Sequence, residues 1–384
     1  MKGVNKENIK KHALNEFLSE YKELNTDNKY RPVAVGRYGI RKRESIYSKE
    51  LAKDYSKNKL IHKDTLTVGM GSKQIDIGIL IEDETFAVSP AYHTYKIQGI
   101  RCKYLEYCLQ SKNIEMFSLY AKRGSRQGKS IDLKRWLTYK IPVYSEEDQI
   151  VIEENLNKIN VVIELRRKQL ELLDELVRAR FVEMFGDPIE NQKDWEVVKI
   201  RDIVTDVRYG TSKPAVEGGR YPYLRMNNLT VDGDLDLNDL KYIDIPDNEI
   251  EKCVVRKGDI LFNRTNSIDL IGKTAVFNLL DDMVIAGYII RIRLNNQILP
   301  DVFSQYMNLE AMKKVLRGMA KGAVNQANIN AQELQSIKVY IPNMELQKQY
   351  VEFKEEIDKS RSRIQKSLEA SQELFDSLMQ EYFG

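Results

Sequence analysis

Between residues 147 and 185 the chain carries no proline or glycine, and Leu156, Ile159, Ile163, Leu170, Leu173 and Val177 recur at spacings of three, four and seven. This pattern predicts one long helix with a coiled-coil-like apolar seam, interrupted by Arg166 and Arg180. At about 1.5 Å per residue it would run to roughly 58 Å. Gly186, Asp187 and Pro188 stop it. A second pattern of the same kind, 344–382, closes the chain, with Ile357, Ile364, Leu368, Phe375 and Leu378 along its seam. Residues 5–24 put Ile9, Phe17, Tyr21 and Leu24 near one face and predict a short amphipathic helix. In the mixed stretch that follows, "TLTVGMG" and "FAVSPAYHTYKI" predict strands and "CKYLEYCLQSKNIEMFSLYAK" a helix. After the first long helix come the turn-rich "TVDGDLDLND" and the strand-like "GDILFN" and "GYIIRIRL".

The two long patterns are related. Sliding residues 123–186 onto 321–384 gives fifteen identities in sixty-four ungapped positions, where ordinary composition would give roughly four. Gly124 falls on Gly322, Ile131 on Ile329, Gln149 on Gln347, Ile159 on Ile357, and Phe185-Gly186 on Phe383-Gly384. Upstream, "RYG" occurs at 37–39 and 208–210, "HKDTLTV" at 62–68 resembles "RKGDILF" at 256–262, and Tyr92 matches Tyr288. A period near 200 residues means domain duplication rather than a solenoid. The expected fold is α+β: two similar mixed α/β domains separated by two long antiparallel helices, related by an internal pseudo-two-fold. The expected boundaries are an N-terminal helix in 1–29, a first globular domain 30–144, a central helix 145–186, a second globular domain 187–342 and a C-terminal helix 343–384. Because Arg166 aligns with Ile364 and Arg180 with Leu378, the helices are unlike enough to prefer each other over self-pairing.

Composition narrows the class. With 42% hydrophobic and 30% charged residues the chain fits a soluble globular protein. No apolar run approaches the roughly 20 residues of a membrane span, and the start has no signal-peptide core, so a cytoplasmic, non-membrane protein is expected. Cys102, Cys108 and Cys253 fit reduced thiols, and with His12, His62 and His93 they make a poor metal set. A net charge of +3 does not by itself point to nucleic acid; local basic clusters would have to do so.

Catalytic motifs are few. "SIDLIGKT", 267–274, resembles a phosphate loop at Gly272, Lys273 and Thr274, but Ser267 stands where the first glycine belongs and a strand-like segment follows. No nuclease spacing, amino-methyltransferase string or nucleophile elbow is present, so no catalytic residue and no enzyme activity are assigned to this chain. Basic and amide side chains instead recur at related places in both halves. The first half has Arg37, Tyr38, Arg41, Lys42 and Arg43, then Arg123, Arg126, Gln127 and Lys129. The second has Arg208, Tyr209 and Lys213; Arg225 and Asn227; Asn263, Arg264, Asn266 and Ser267; and Lys321, Asn325 and Gln326. Arginine can bridge guanine O6 and N7, Asn and Gln can bridge adenine N6 and N7, and lysine and hydroxyls hold phosphates. The set is a candidate DNA interface.

The duplicated layout, with "LLDELVRARFVEMFGD" in the middle and "SLMQEYFG" at the end, resembles the DNA-specificity subunit of type I restriction–modification enzymes. "YPYLRMNNLTVDGDLD", "VRKGDILFNRTNSIDLIGKTAVF" and "RGMAKGAVNQANINAQEL" resemble that family's target-recognition domain. The resemblance implies that each globular domain reads one half of a bipartite site on double-stranded DNA. It implies that the helices set the spacer and dock two DNA-adenine methyltransferase subunits, which restriction/translocase subunits join. No cofactor would bind this chain; S-adenosylmethionine, ATP and Mg would belong to the partners. Two other readings stay open from the residues: the recognition module of a modification-only methyltransferase complex, and a coiled-coil scaffold that binds no DNA.

Overall fold

In the second half of the chain, the strands Ile260–Asn263 and Ile289–Leu294 lie at the centre of a four-stranded sheet in the order 204–209, 289–294, 260–263, 274–276. Every residue of the first and the first four of the second are buried, as expected of central strands covered on both faces; Arg291, inside that run, is buried against Asp206. The structure is a computed structural model, and it describes residues 4, 9–36, 39–43, 46, 54–123, 129–323 and 326–384. It is mixed α/β and divides into two units, residues 1–166 with 366–384 and residues 167–365.

The unit of residues 167–365 adds a second four-stranded sheet, a three-stranded sheet of Thr265–Asn266, Gln326–Asn328 and Lys321–Ala323, and the antiparallel pair Glu196–Lys199 with Lys338–Ile341. Helices Pro300–Asn308 and Glu310–Met319 pack on its core, where Phe181, Phe185, Tyr306, Tyr340 and Tyr350 meet edge to face. "TVDGDLDLND" forms a loop tied to the long helices: Asp232 pairs with Arg178 at 2.5 Å and Asp234 with Arg361 at 3.0 Å. Gly233 is needed there, because its φ is +95° and a Cβ would lie 2.8 Å from the Thr274 carbonyl oxygen.

The other unit has an antiparallel sheet in the order Leu18–Glu20, His93–Ile97, Thr65–Met70, Ile75–Leu80, the pair Lys10–Ala13 with Lys140–Val143, and helices Cys102–Ser111 and Asn113–Tyr120. The helix expected over 5–24 is not found in its described part. Lys10–Ala13 and Leu18–Glu20 are strands joined by a 3-10 turn. The periodic Ile9, Phe17 and Tyr21 are only half-buried and Leu24 is exposed, while Leu14 and Leu18 carry the burial. Pairing with Lys140–Val143, distant in sequence, overrides the local 3.6-residue pattern.

The two units open and close on the same elements. In each, two strands flank a 3-10 turn (Leu14–Glu16, Ile200–Asp202), and after further strands come a helix pair, a hairpin, a short helix, a strand and a long helix; among the described residues the helix Asp247–Cys253 belongs to the second unit alone. The buried glutamines are a particular case. Gln149 Nε2 donates to the Tyr144 carbonyl and its Oε1 accepts from Arg101 N, at the cap of Cys102–Ser111. Gln347 does the same with the Pro342 carbonyl and Leu299 N, at the cap of Pro300–Asn308.

The long helices are Glu146–Phe185 and Met344–Phe383, 40 residues each. In one unit Leu156, Ile159 and Ile163 share a core with Leu368, Phe375 and Leu378; in the other Val177 and Phe181 share one with Tyr350 and Ile357. In each unit the two helices therefore run antiparallel. Leu170, Leu173 and Ile364 are half-buried. The seam arginines are accommodated by donation: Arg166 Nη1 donates to the Ser367 carbonyl at 2.6 Å and to Ser371 Oγ, and Arg180 pairs with Glu183 at 2.8 Å and stacks on Phe353. The repeated aromatic-glycine ending has a physical reason. Phe185 and Phe383 are both buried, and Gly186 takes φ +86° to close the helix, its carbonyl accepting from Tyr340 Oη at 2.9 Å.

Candidate nucleic-acid interface

Strand order brings the ends of 204–209 and 260–263 to either side of 289–294. Gly210 turns the chain away at the first of these ends, where a Cβ would sit 2.1 Å from the Ile285 carbonyl oxygen. Arg264 leaves the second. Its N–H donates to the Tyr288 carbonyl at 3.0 Å and its carbonyl accepts from Ile329 N at 2.9 Å. Its guanidinium lies over the Tyr209 ring, 4.9 Å from the centroid, and Nη1 donates to the Gly287 carbonyl at 3.4 Å. Tyr209 and Tyr288 are 44% and 51% exposed, so the half-buried Arg264 lies at the edge of solvent. Tyr288 is not among the sequence candidates; its signal is its match to Tyr92 in the repeat.

Several predicted contacts are engaged within the protein. Arg225 holds Asp239 through its carboxylate at 2.7 Å and its carbonyl at 2.9 Å, and this guanidinium, then the Lys241 ammonium, keeps the Asp239 carboxyl below the usual range. Arg208 pairs with Asp206 at 2.9 Å, Lys213 with Glu249 at 2.9 Å, and Lys321 with Glu333 at 2.5 Å. These pairs are partly exposed and of the kind that exchanges for phosphate at little cost. Asn227 and Gln326 are exposed.

Asn263 is a correction. It is fully buried, its amide donating to the Thr265 and Tyr288 carbonyls at 3.2 Å, so it shapes the loop and cannot reach a base. Asn266 donates to Asn263 Oδ1 at 2.8 Å and accepts from Ser267 N at 2.9 Å, which uses both ends of its amide inside the loop. Ser267 is half-buried. The phosphate-loop fragment is structural as well. Lys273 is buried, donates to the Met226 carbonyl at 2.8 Å and to that of Leu229, and burial pushes its pKa below the ordinary lysine value.

In the other unit Arg41 and Lys42 lie exposed on the strand Gly39–Lys42, with Lys42 3.7 Å from Glu84 and over the Phe86 ring. Arg43 lines a cleft of about 690 Å³ with Tyr55, Met70 and Tyr92. Arg37, Tyr38, Arg126, Gln127 and Asn325 lie outside the described residues, as do the side chains of Arg123 and Lys129. Among the described residues no His, Cys, Asp and Glu side chains group as a metal site, and no helix is long and apolar enough to cross a membrane.

Residues 192–372 match the family model described as the type I restriction modification DNA specificity domain. A Methanocaldococcus jannaschii protein described as the MjaX type I restriction enzyme specificity subunit is 31% identical over 198 residues, covering 50% of this chain and 46% of that one. The type I restriction enzyme EcoKI specificity subunit of Escherichia coli K12 is 21% identical over 244 residues, covering 59% and 52%. The chain spans about half the length of these curated relatives. Among solved structures, the S subunit of a type I restriction–modification system from M. genitalium superposes with a TM-score of 0.56 at 15% identity, over 100% of this chain and 98% of that one. A chain from a type I system studied for complex assembly and conformational transition gives 0.57, also at 15% identity, over 100% and 99%. At such identity the likeness is one of fold.

Proposed function

We propose that this chain, which belongs to the family of type I restriction–modification specificity subunits, reads double-stranded DNA as two half-sites, one for each globular part, and performs no catalysis itself. The observation that carries the proposal is the half-buried Arg264 held over the exposed Tyr209 ring, inside the segment that matches the specificity-domain family. A scaffold that binds no DNA has no use for an arginine presented in this way.

The bipartite reading rests on duplication. The shared opening and closing elements and the matched roles of Gln149 and Gln347 support two copies of one unit. Each long helix would span about 60 Å at 1.5 Å per residue, and the pair would fix the spacer between half-sites. The same helices would dock two DNA-adenine methyltransferase subunits, to which restriction/translocase subunits add. Leu176 and Leu374, matched by the 198-residue offset, are both open to solvent and mark equivalent docking positions, and Val161, Leu165 and Leu172 extend the apolar stripe on the central helix. S-adenosylmethionine, ATP and Mg would be held by those partners, in the cytoplasm where the DNA lies. The test is purification with the native partners followed by mapping of methylated adenines, with a split motif as the expected result. Adenine methylation without sequence preference would refute it.

A further inference from the structure

Resting on the reading of this chain as a DNA-sequence reader, we propose that Arg264 is the guanine-reading side chain of its unit and that Tyr209 is the positioning residue that holds it ready. Arg208, Arg220, Arg225, Arg256, Arg291, Arg293 and Arg317 each have a carboxylate at 3.2 Å or less. Among the described residues between 192 and 342, two arginines lack an acidic partner. Arg201 is exposed and needs none, being solvated; Arg264 is half-buried. A cation withdrawn from water without a counter-charge is costly. The Tyr209 ring face and the Gly287 carbonyl offset part of that cost. They leave most of the guanidinium's donors uncommitted, and Nε is enclosed without a hydrogen bond.

The missing partner is therefore a planar pair of acceptors arriving from solvent. Guanine offers such a pair in the major groove, O6 and N7, and the guanidinium fork matches it bidentately. The fork is held in advance. The Arg264 backbone is fastened on both sides, to Tyr288 and Ile329. The Tyr209 ring is fixed by its hydroxyl, which accepts from Ala331 N at 2.8 Å in the first turn of the helix Ala331–Ser336. That turn is itself set by Asn330, whose Oδ1 accepts from Gln332 N and Glu333 N at 2.9 Å. Ordering cost is thus met before DNA arrives. The device belongs to one unit only. Where "RKGDILF" is followed by Asn263 and Arg264, the matching "HKDTLTV" is followed by Gly69 and Met70.

The experiment is a binding titration of the complex with its native methyltransferase partners. The probes are its methylated-motif duplex and duplexes altered at each guanine of that motif. Wild type should discriminate at every specified position. Arg264→Ala should lose roughly 5- to 150-fold on the cognate duplex, the about 1–3 kcal/mol of one bidentate arginine–base pair, and should stop discriminating at one guanine while keeping the other positions. Arg264→Lys should not restore it, since an ammonium lacks the fork. Tyr209→Leu should blunt discrimination at that same guanine, and Tyr209→Phe should retain more of it. Unchanged base preference in Arg264→Ala would overturn the proposal alone. So would an equal loss on all sequences with the salt slope reduced by about one unit, the mark of a phosphate contact. A wild-type complex without sequence preference would sink the recognition reading and this proposal together.

Discussion

Leu176 and Leu374 test the docking role of the long helices. They align through the 198-residue repeat and are 45% and 43% exposed, so aspartate at either position should cost the fold about 1 kcal/mol for the buried half of the side chain and leave it intact. Against a docked partner the effect is different. Half of a leucine's burial is worth about 1 kcal/mol, and a carboxylate closed in without a partner adds about 1–3 kcal/mol. The combined loss is about 2–4 kcal/mol, or roughly 30- to 1,000-fold in Kd. Native mass spectrometry of each variant titrated with its methyltransferase subunit reads both affinity and stoichiometry. Each single variant should hold one methyltransferase where the wild type holds two, and the double variant none. Two tightly bound methyltransferases on the double variant would refute the reasoning.

Other consequences follow from individual side chains. Lys313 is buried and donates to the Gly272 carbonyl and Asn308 Oδ1; burial first, then the cations of Arg317 and Lys273, push its pKa down to about 7 against the opposing Glu310. The unfolded chain keeps that proton to about pH 10.4, so folding stability should rise with pH between about 7 and 10. Denaturant titrations of Lys313→Met should show that slope, at most about 1.4 kcal/mol per pH unit, reduced. Asn263→Ala should cost about 1–3 kcal/mol in chemical denaturation, because the Asn266 amide loses its acceptor and the Thr265 carbonyl a donor, while the Tyr288 carbonyl keeps the Arg264 N–H. It should act through folding, and a fully stable variant with altered base preference would contradict its buried role. Replacing Arg41 and Lys42, exposed on one strand, by alanine should flatten the salt dependence of DNA binding by about 0.9 for each phosphate no longer neutralised, without changing which bases are preferred.

Much of this was legible because it is periodic or repeated. The long helices announce themselves through an uninterrupted seam and a glycine stop, and both lie within a residue or two of the expected ends. The N-terminal segment was not legible. Its strands exist because residues 140–143 and 93–97 offer edges to pair with, and nothing between 5 and 24 encodes those partners. The candidate site was legible as composition and illegible as role. Arg225, Arg208 and Arg264 look alike in sequence. Asp239 and Asp206 engage the first two, and a tyrosine fifty-five positions upstream holds the third. Asn263 reads as a polar strand end, yet it is fully buried because the neighbouring carbonyls need its amide.

The most direct test of two-half reading is single-molecule methylome sequencing of cells carrying this chain with its partners, as wild type and as Arg264→Ala with Tyr209→Leu. The wild type should methylate a motif of two specified halves separated by a fixed run of unspecified base pairs, and the double variant should methylate a motif degenerate in one half alone. A single continuous motif in the wild type, or equal degeneracy in both halves of the variant, would contradict two separate readers on a helical spacer.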